Sequence, residues 1–250
     1  MPAPLISIGT LVQSSWTDFL KRWKHTLEYS IRYLIASLVI FGGTLVANVD
    51  ASLRWPAMLV SGLVAGVIVL HSTVLLGRLV LLEDRGETFD RTKETKGAWK
   101  LFWPFLWVSI LRGLATLGGF VVFVLPGIWL SIALAFSSFL VLEGNLRGTQ
   151  ALSGSLHLVK GRWWPTFWRM LVANAFFGLL YVVALNIIVT VIGLFTGYDA
   201  IANFASVDLT QPDLIALGIR SVLDGIGQAL FLPLLLTVNI KLFHSLRSSR

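Results

Sequence analysis

The stretch VLPGIWL, residues 124–130, decides the fold. It interrupts an apolar run over residues 101–142 in which Arg112 is the one formal charge. No soluble core takes so long an uncharged run from contiguous sequence, so its solvent has to be lipid. A hydrocarbon layer about 30 Å thick is crossed by roughly 20 helical residues, and the run therefore divides into two crossings and a turn. Pro126 has no amide to continue a helix and Gly127 tolerates a reversal, which predicts a hairpin tip at these two residues.

Composition extends the reading to the whole chain. Hydrophobic residues make up 56% and charged residues 13%, with a mean hydropathy of +0.78, well outside ordinary globular usage. The same length argument predicts six spans, at about 31–49, 56–82, 101–124, 128–142, 165–195 and 214–242. None alternates apolar with polar residues as a membrane barrel strand does, and helices satisfy their own amides in hydrocarbon. The expected fold is all-α: a polytopic membrane protein of six transmembrane helices in three hairpins, forming a single integral membrane domain over residues 1–250.

Charge predicts the orientation, because cationic loops stay on the cytoplasmic side. With both termini inside, the cytoplasmic segments hold all of the 20 Lys and Arg except Arg54, Arg78, Arg112 and Arg220. The outer segments hold Arg54 beside Asp50, Asp199, Asp208 and Asp213. An odd number of spans would spoil this separation. The net charge of +7 brackets hydrophobic spans instead of decorating a soluble patch, so the expected partners are anionic lipid headgroups and a protein partner or second copy, not nucleic acid. No cleavable leader is expected, since the first apolar stretch is broken by QSSWTDFLKRWKH and lacks a basic start. The chain has no cysteine, which removes disulfide and thiol chemistry. Trp99, Trp103, Trp107, Trp163, Trp164 and Trp168 cluster where the third and fifth spans begin, as interfacial belts do.

A weak repeat accompanies those tryptophans. WPFLW at 103–107 and WPTFW at 164–168 each place a proline in what reads as the first turn of a span. Amphipathic stretches precede three of the spans, and short cytoplasmic surface helices are expected at about 6–27, 88–100 and 147–160. The competing explanation is independent use of Trp and Pro at an interface.

Ionisable groups at depth are the usual functional marker in a membrane. At 1.5 Å per residue, Arg112 lies about 13 Å past Trp103 and Asp224 about 15 Å past Leu214, both near the midplane. They would be able to meet; alternatively Asp224 pairs with Arg220, four residues earlier on the same face. Arg78 lies close enough to a span end to snorkel. A structural ion pair is favoured over a proton- or anion-responsive site, because one acid with two cations gives no relay. His71 reads as a hydrogen-bonded helix contact. Asn174, Asn186, Gln228 and Asn239 are able to join helices, and Gly62 with Gly66 has the GxxxG spacing of close helix contact. The histidines are too dispersed for a local metal motif, and DGIGQAL holds a lone GxG inside a span. No catalytic motif is present, so neither an enzyme nor a cofactor or metal site is expected.

The segments SIGTLVQSSWTDFLKRW, LPGIWLSIALAFSSFLVLEG, GTQALSGSLHLVKGRWW and NIKLFHSLR, in that order, resemble the membrane domain of bacterial glycerophosphoryl diester phosphodiesterases and its stand-alone YciC-like inner-membrane relatives. The pattern covers nearly the whole chain, its most specific positions being Pro126, Gly127, Glu143, Gly144, Ala151, Ser155, Lys160 and Gly161. The family's catalytic barrel, with its His-Arg-Gly opening, is absent here. The resemblance therefore implies the membrane module alone, in a bacterial inner membrane and near lipid or envelope processes. Read from the residues themselves, Glu143 and Gly144 are a helix stop in a charge cluster, and Ser153, Ser155 and His157 would face headgroups or a partner. The expected function is a non-catalytic membrane scaffold or accessory protein; the alternative is a small transporter or lipid-translocating protein using Arg112, Asp224 and Arg220.

Overall fold

The computed structural model describes residues 5–144, 146–196 and 214–249; Asp199, Asp208, Asp213 and Arg250 lie outside them. The described residues form helices α1 (Ile8–Val49), α2 (Arg54–Asp84), α3 (Arg91–Val122), α4 (Val124–Ala133), α5 (Ser137–Leu142), α6 (Gly148–Val159), α7 (Trp163–Thr196) and α8 (Leu214–Ser248), and no strand is found among them. Six helical segments are long and apolar enough to cross a membrane, with α4 and α5 together making the fourth. Only 12% of the apolar window of α7 is buried, and Leu194 and Phe195 at its end are almost fully exposed. Such surface is not stable in water, and the chain is an integral membrane protein.

Several boundaries differ from the expected ones for identifiable reasons. The stretch 6–27 is no separate surface helix: from Ile8 it is the beginning of α1, because no glycine or proline separates it from the span at 31–49. The stretch 88–100 likewise runs into α3, which starts on an Asp90 cap whose carboxylate accepts the amides of Thr92 (2.9 Å) and Lys93 (3.1 Å). A change from amphipathic to apolar pattern does not end a helix without a breaker. Pro104 consequently lies inside α3, whereas Pro165 does stand in the first turn of α7, so the two tryptophan motifs are not structurally equivalent. Of the expected surface helices only α6 is a separate element.

The reversal at 124–130 also shifts. Phe123, with φ −171° and ψ 158°, separates α3 from α4, and Pro126 and Gly127 sit in the first turn of α4. A proline is tolerated there because first-turn amides have no intrahelical acceptor. Gly127 serves the approach of the two helices: a Cβ on Gly119 would meet the Gly127 backbone at 3.0 Å, and one on Gly127 would strike the Phe120 ring.

Two compact units are formed. The first takes Met1–Thr26, Thr73–Ala175 and Leu234–Arg250, as far as these are described, and so contains α3 to α6 with one end each of α1, α2, α7 and α8. Its core holds Phe136, Phe139 and Phe243 in mutual ring contact, with centroids about 6 Å apart, and also buries Leu75, Leu79, Leu142 and Leu246. Asn239 of α8 donates to Asn174 of α7 (3.3 Å), whereas Asn186 bonds within its own helix.

The second unit takes Leu27–Ser72 and Phe176–Pro233. Gly62 and Gly66 are exposed, with no neighbour near a Cβ on either among the described residues, so the GxxxG spacing marks no helix contact among them. Close approach is made instead by Gly225 and Gly227 of the DGIGQAL segment. A Cβ on Gly225 would meet Leu34 Cα of α1 at 2.7 Å, and one on Gly227 would meet the Tyr181 hydroxyl of α7 at 2.5 Å. Ser37 of α1 donates to the Ser221 carbonyl of α8 (2.6 Å) beside this contact. Between α1 and α2, Asp50 accepts the Ser52 amide (2.8 Å), which holds its carboxyl below the usual range.

Gly225→Ala forces a backbone shift and is expected to destabilise by about 1–3 kcal/mol. Gly62→Ala, in open space, is expected to be neutral or to stabilise by up to about 1 kcal/mol. Thermal unfolding of both variants in one detergent checks the contrast; a Gly225→Ala protein as stable as the parent refutes it.

Candidate functional site

Polar chemistry gathers in the first unit, at the ends of α1, α2, α3, α5 and α8. Arg78 of α2 does not snorkel. Its Nε and Nη2 both reach Glu94 Oε2 on α3 at 2.8 Å, and its Nη1 donates to the Leu142 carbonyl at the end of α5 (3.0 Å). Glu94 is buried. Arg22 of α1 faces Glu83 (3.3 Å) and Asp84 (3.3 Å) of α2 and, more distantly, Asp18 of its own helix (3.8 Å). From α8, Lys241 binds Asp18 (2.5 Å) and His244 Nδ1 contacts Asp84 (2.8 Å). Glu143 is held between Arg85 and Arg247, the latter at 2.6 Å, with its own side chain almost wholly covered. The sequence reading put Glu143 in a charge cluster but missed Asp18, Arg22, Glu83, Asp84, Glu94, Lys241 and His244. One signal was available: acids and cations at helix ends that the charge count assigns to the same side.

The α4 to α7 segment makes a second feature. Where α4 stops at Ala133 and α5 starts at Ser137, the α-helical pattern breaks into turns inside apolar surroundings, with Ala135 and Ser137 bonding three residues back. Ser155 of α6 fills the break: its hydroxyl donates to the Ala133 carbonyl (2.7 Å) and accepts the Phe136 amide (3.2 Å). Ser155 is completely buried, as is Ala151 one turn earlier, so Ser155 does not face headgroups or a partner; Ser153 and His157 are exposed. Gly144 after α5 and Gly161 after α6 have φ of +77° and +79°, the left-handed conformation that stops a helix at least cost to glycine. Beyond Ser155, α4, α6 and the start of α7 line an open cavity of about 400 Å³, with apolar Trp129, Ala133, Leu156, Val159 and Trp163 and the exposed Ser153, His157, Lys160 and Gly161. Trp163 is fixed there by an indole bond to the Trp129 carbonyl (3.1 Å) and by stacking on Phe167 (5.2 Å).

The buried charges singled out from the sequence are distributed differently. Arg112 points its Nη1 at the Ala135 carbonyl (3.5 Å), in the same break that Ser155 bridges. Asp224 pairs with Arg220 along α8 (3.8 Å), both side chains about 40% exposed. His71 Nδ1 lies 3.3 Å from Arg32 Nη1. Among the described residues no three His, Asp or Glu side chains are grouped to hold a metal ion. Compared with known family models, curated proteins and solved structures, the chain matches none.

Ser155→Ala strands a buried carbonyl and a buried amide and is expected to cost about 1–3 kcal/mol, with Ser153→Ala near zero. Glu94→Ala leaves Arg78 without its counterion and is expected to cost about 3–5 kcal/mol, against no more than about 1 kcal/mol for Arg220→Ala. Chemical or thermal unfolding in detergent orders the four; equal effects of Glu94→Ala and Arg220→Ala would refute the assignment.

Proposed function

We propose that this protein is a non-catalytic scaffold or accessory protein of a bacterial cytoplasmic membrane that engages anionic phospholipid headgroups. One observation carries the reading. Asp18, Glu83, Asp84, Glu94 and Glu143 are each committed to cations within the first unit, while Lys21, Lys93, Lys96, Lys100 and Lys160 are exposed. The internal pairs supply helix contacts, and the outward excess is cationic beside exposed Trp99 and Trp103. Cations of this kind near a membrane surface contribute about 1 kcal/mol each toward anionic lipid. The sequence resemblance to the phosphodiesterase membrane domain supports a place near lipid or envelope processes. The pairing of Asp224 with Arg220 along one helix favours a structural role for those residues over the transporter alternative.

In this reading both termini lie in the cytoplasm. Because the chain has no cysteine, single cysteines placed near each end report sidedness cleanly: labelling of whole cells with an impermeant maleimide is expected to spare both, and reaction at one end alone overturns the topology. For the lipid preference, the triple variant Lys93→Glu, Lys96→Glu, Lys100→Glu is expected to lose most of the stabilisation that phosphatidylglycerol gives over phosphatidylcholine in nanodiscs. That preference should also shrink as salt rises; a parent protein indifferent to headgroup charge overturns the proposal.

A further inference from the structure

We infer that the cavity between α4, α6 and the start of α7 is a binding site for one anionic phospholipid, with the phosphate at Lys160 and His157 and an acyl chain against Trp129, Leu156 and Trp163. The inference rests on the headgroup reading above and adds to it one discrete site apart from the α3 lysines. At about 400 Å³ the cavity lies within the range of roughly 300–1,000 Å³ usual for small-molecule sites.

Its chemistry is divided. Part of the lining is apolar: Val159 and Ala133 are almost wholly buried, Trp129 is about half exposed, and Trp163 is held by its bond to the Trp129 carbonyl and its stack on Phe167. The edge carries one ammonium, one imidazole and one hydroxyl, from Lys160, His157 and Ser153, all exposed. Among the described residues no carboxylate lines the cavity, so an anion meets no opposing charge from them. Gly161, in its left-handed turn with open space around it, keeps the chain beside Lys160 free of side-chain bulk.

The aromatic wall continues outward. Trp163 contacts Trp164 at 4.8 Å, and Phe167 contacts Trp168 at 5.3 Å, both outer indoles being more than half exposed. A chain leaving the cavity therefore runs along apolar surface. A water-soluble phosphate ester would satisfy the polar edge and leave the indole wall uncovered, whereas a lipid covers both, which favours the lipid.

The test uses the full-length protein in mild detergent, with native mass spectrometry counting retained lipid after addition of phosphatidylglycerol or phosphatidylcholine of matched chains. Ser153→Trp fills the cavity from an exposed position, and Lys160→Gln removes the cation. Each is expected to lower phosphatidylglycerol retention about tenfold, with Lys160→Arg restoring it and the unfolding temperature unchanged. The triple glutamate variant on α3, outside the cavity, is expected to keep the retained lipid. Unchanged retention in either Ser153→Trp or Lys160→Gln, if that variant keeps its unfolding temperature, overturns the site and leaves the wider headgroup preference standing. Equal retention of phosphatidylcholine, or displacement by glycerol 3-phosphate at the same concentration, also overturns it.

Discussion

The Arg78 guanidinium fixes the first unit, because it brings together three helices that apolar contact alone would leave free to slide. Its bonds to Glu94 on α3 and to the terminal carbonyl of α5 have directions and lengths, whereas leucine against leucine has neither. Burying an ion pair gives little net stability compared with a well-fitted apolar pair, but removing one partner is expensive. The pair thus acts on register more than on total free energy. Glu143, caught between Arg85 and Arg247, makes a related connection from the end of α5 to α2 and α8.

Much of the architecture was legible in the sequence because length and hydropathy answer directly to the thickness of a bilayer. The six apolar segments follow from that relation alone. What was not legible depended on which side of a helix meets a neighbour. Gly62 and Gly66 have the spacing of a contact motif yet face open space, while Gly225 and Gly227, in a segment with no such spacing, lie against α1 and α7. Spacing names a face of a helix and leaves its occupant unspecified. The same ambiguity hid the continuity of α1, where charged residues gave way to apolar ones without any residue able to end the helix.

The polar residues divide along similar lines. Glu143, Gly144, Ala151, Ser155, Lys160 and Gly161 belong to one stretch of sequence, yet the fold divides them: Glu143 joins Arg85 and Arg247, Ser155 bridges α4 and α5, and Lys160 and Gly161 line the cavity beside Trp129. Arg78 with Glu94, and Asp84 with His244, come from separate helices and carry no local pattern. Arg112 and Asp224 looked alike as charges at depth, yet one reaches a carbonyl and the other a cation on its own helix. Depth marks a charge as costly without telling what neutralises it.

The hydroxyl that Ser155 inserts between α4 and α5 has a bearing on how the polypeptide is assembled. The fourth apolar segment reaches its final bonding only with help from residues synthesised after it. Until α6 docks, a carbonyl and an amide stay without this partner in surroundings where such groups are costly. The final bonding of α4 and α5 is thus completed by a residue that follows them in the chain.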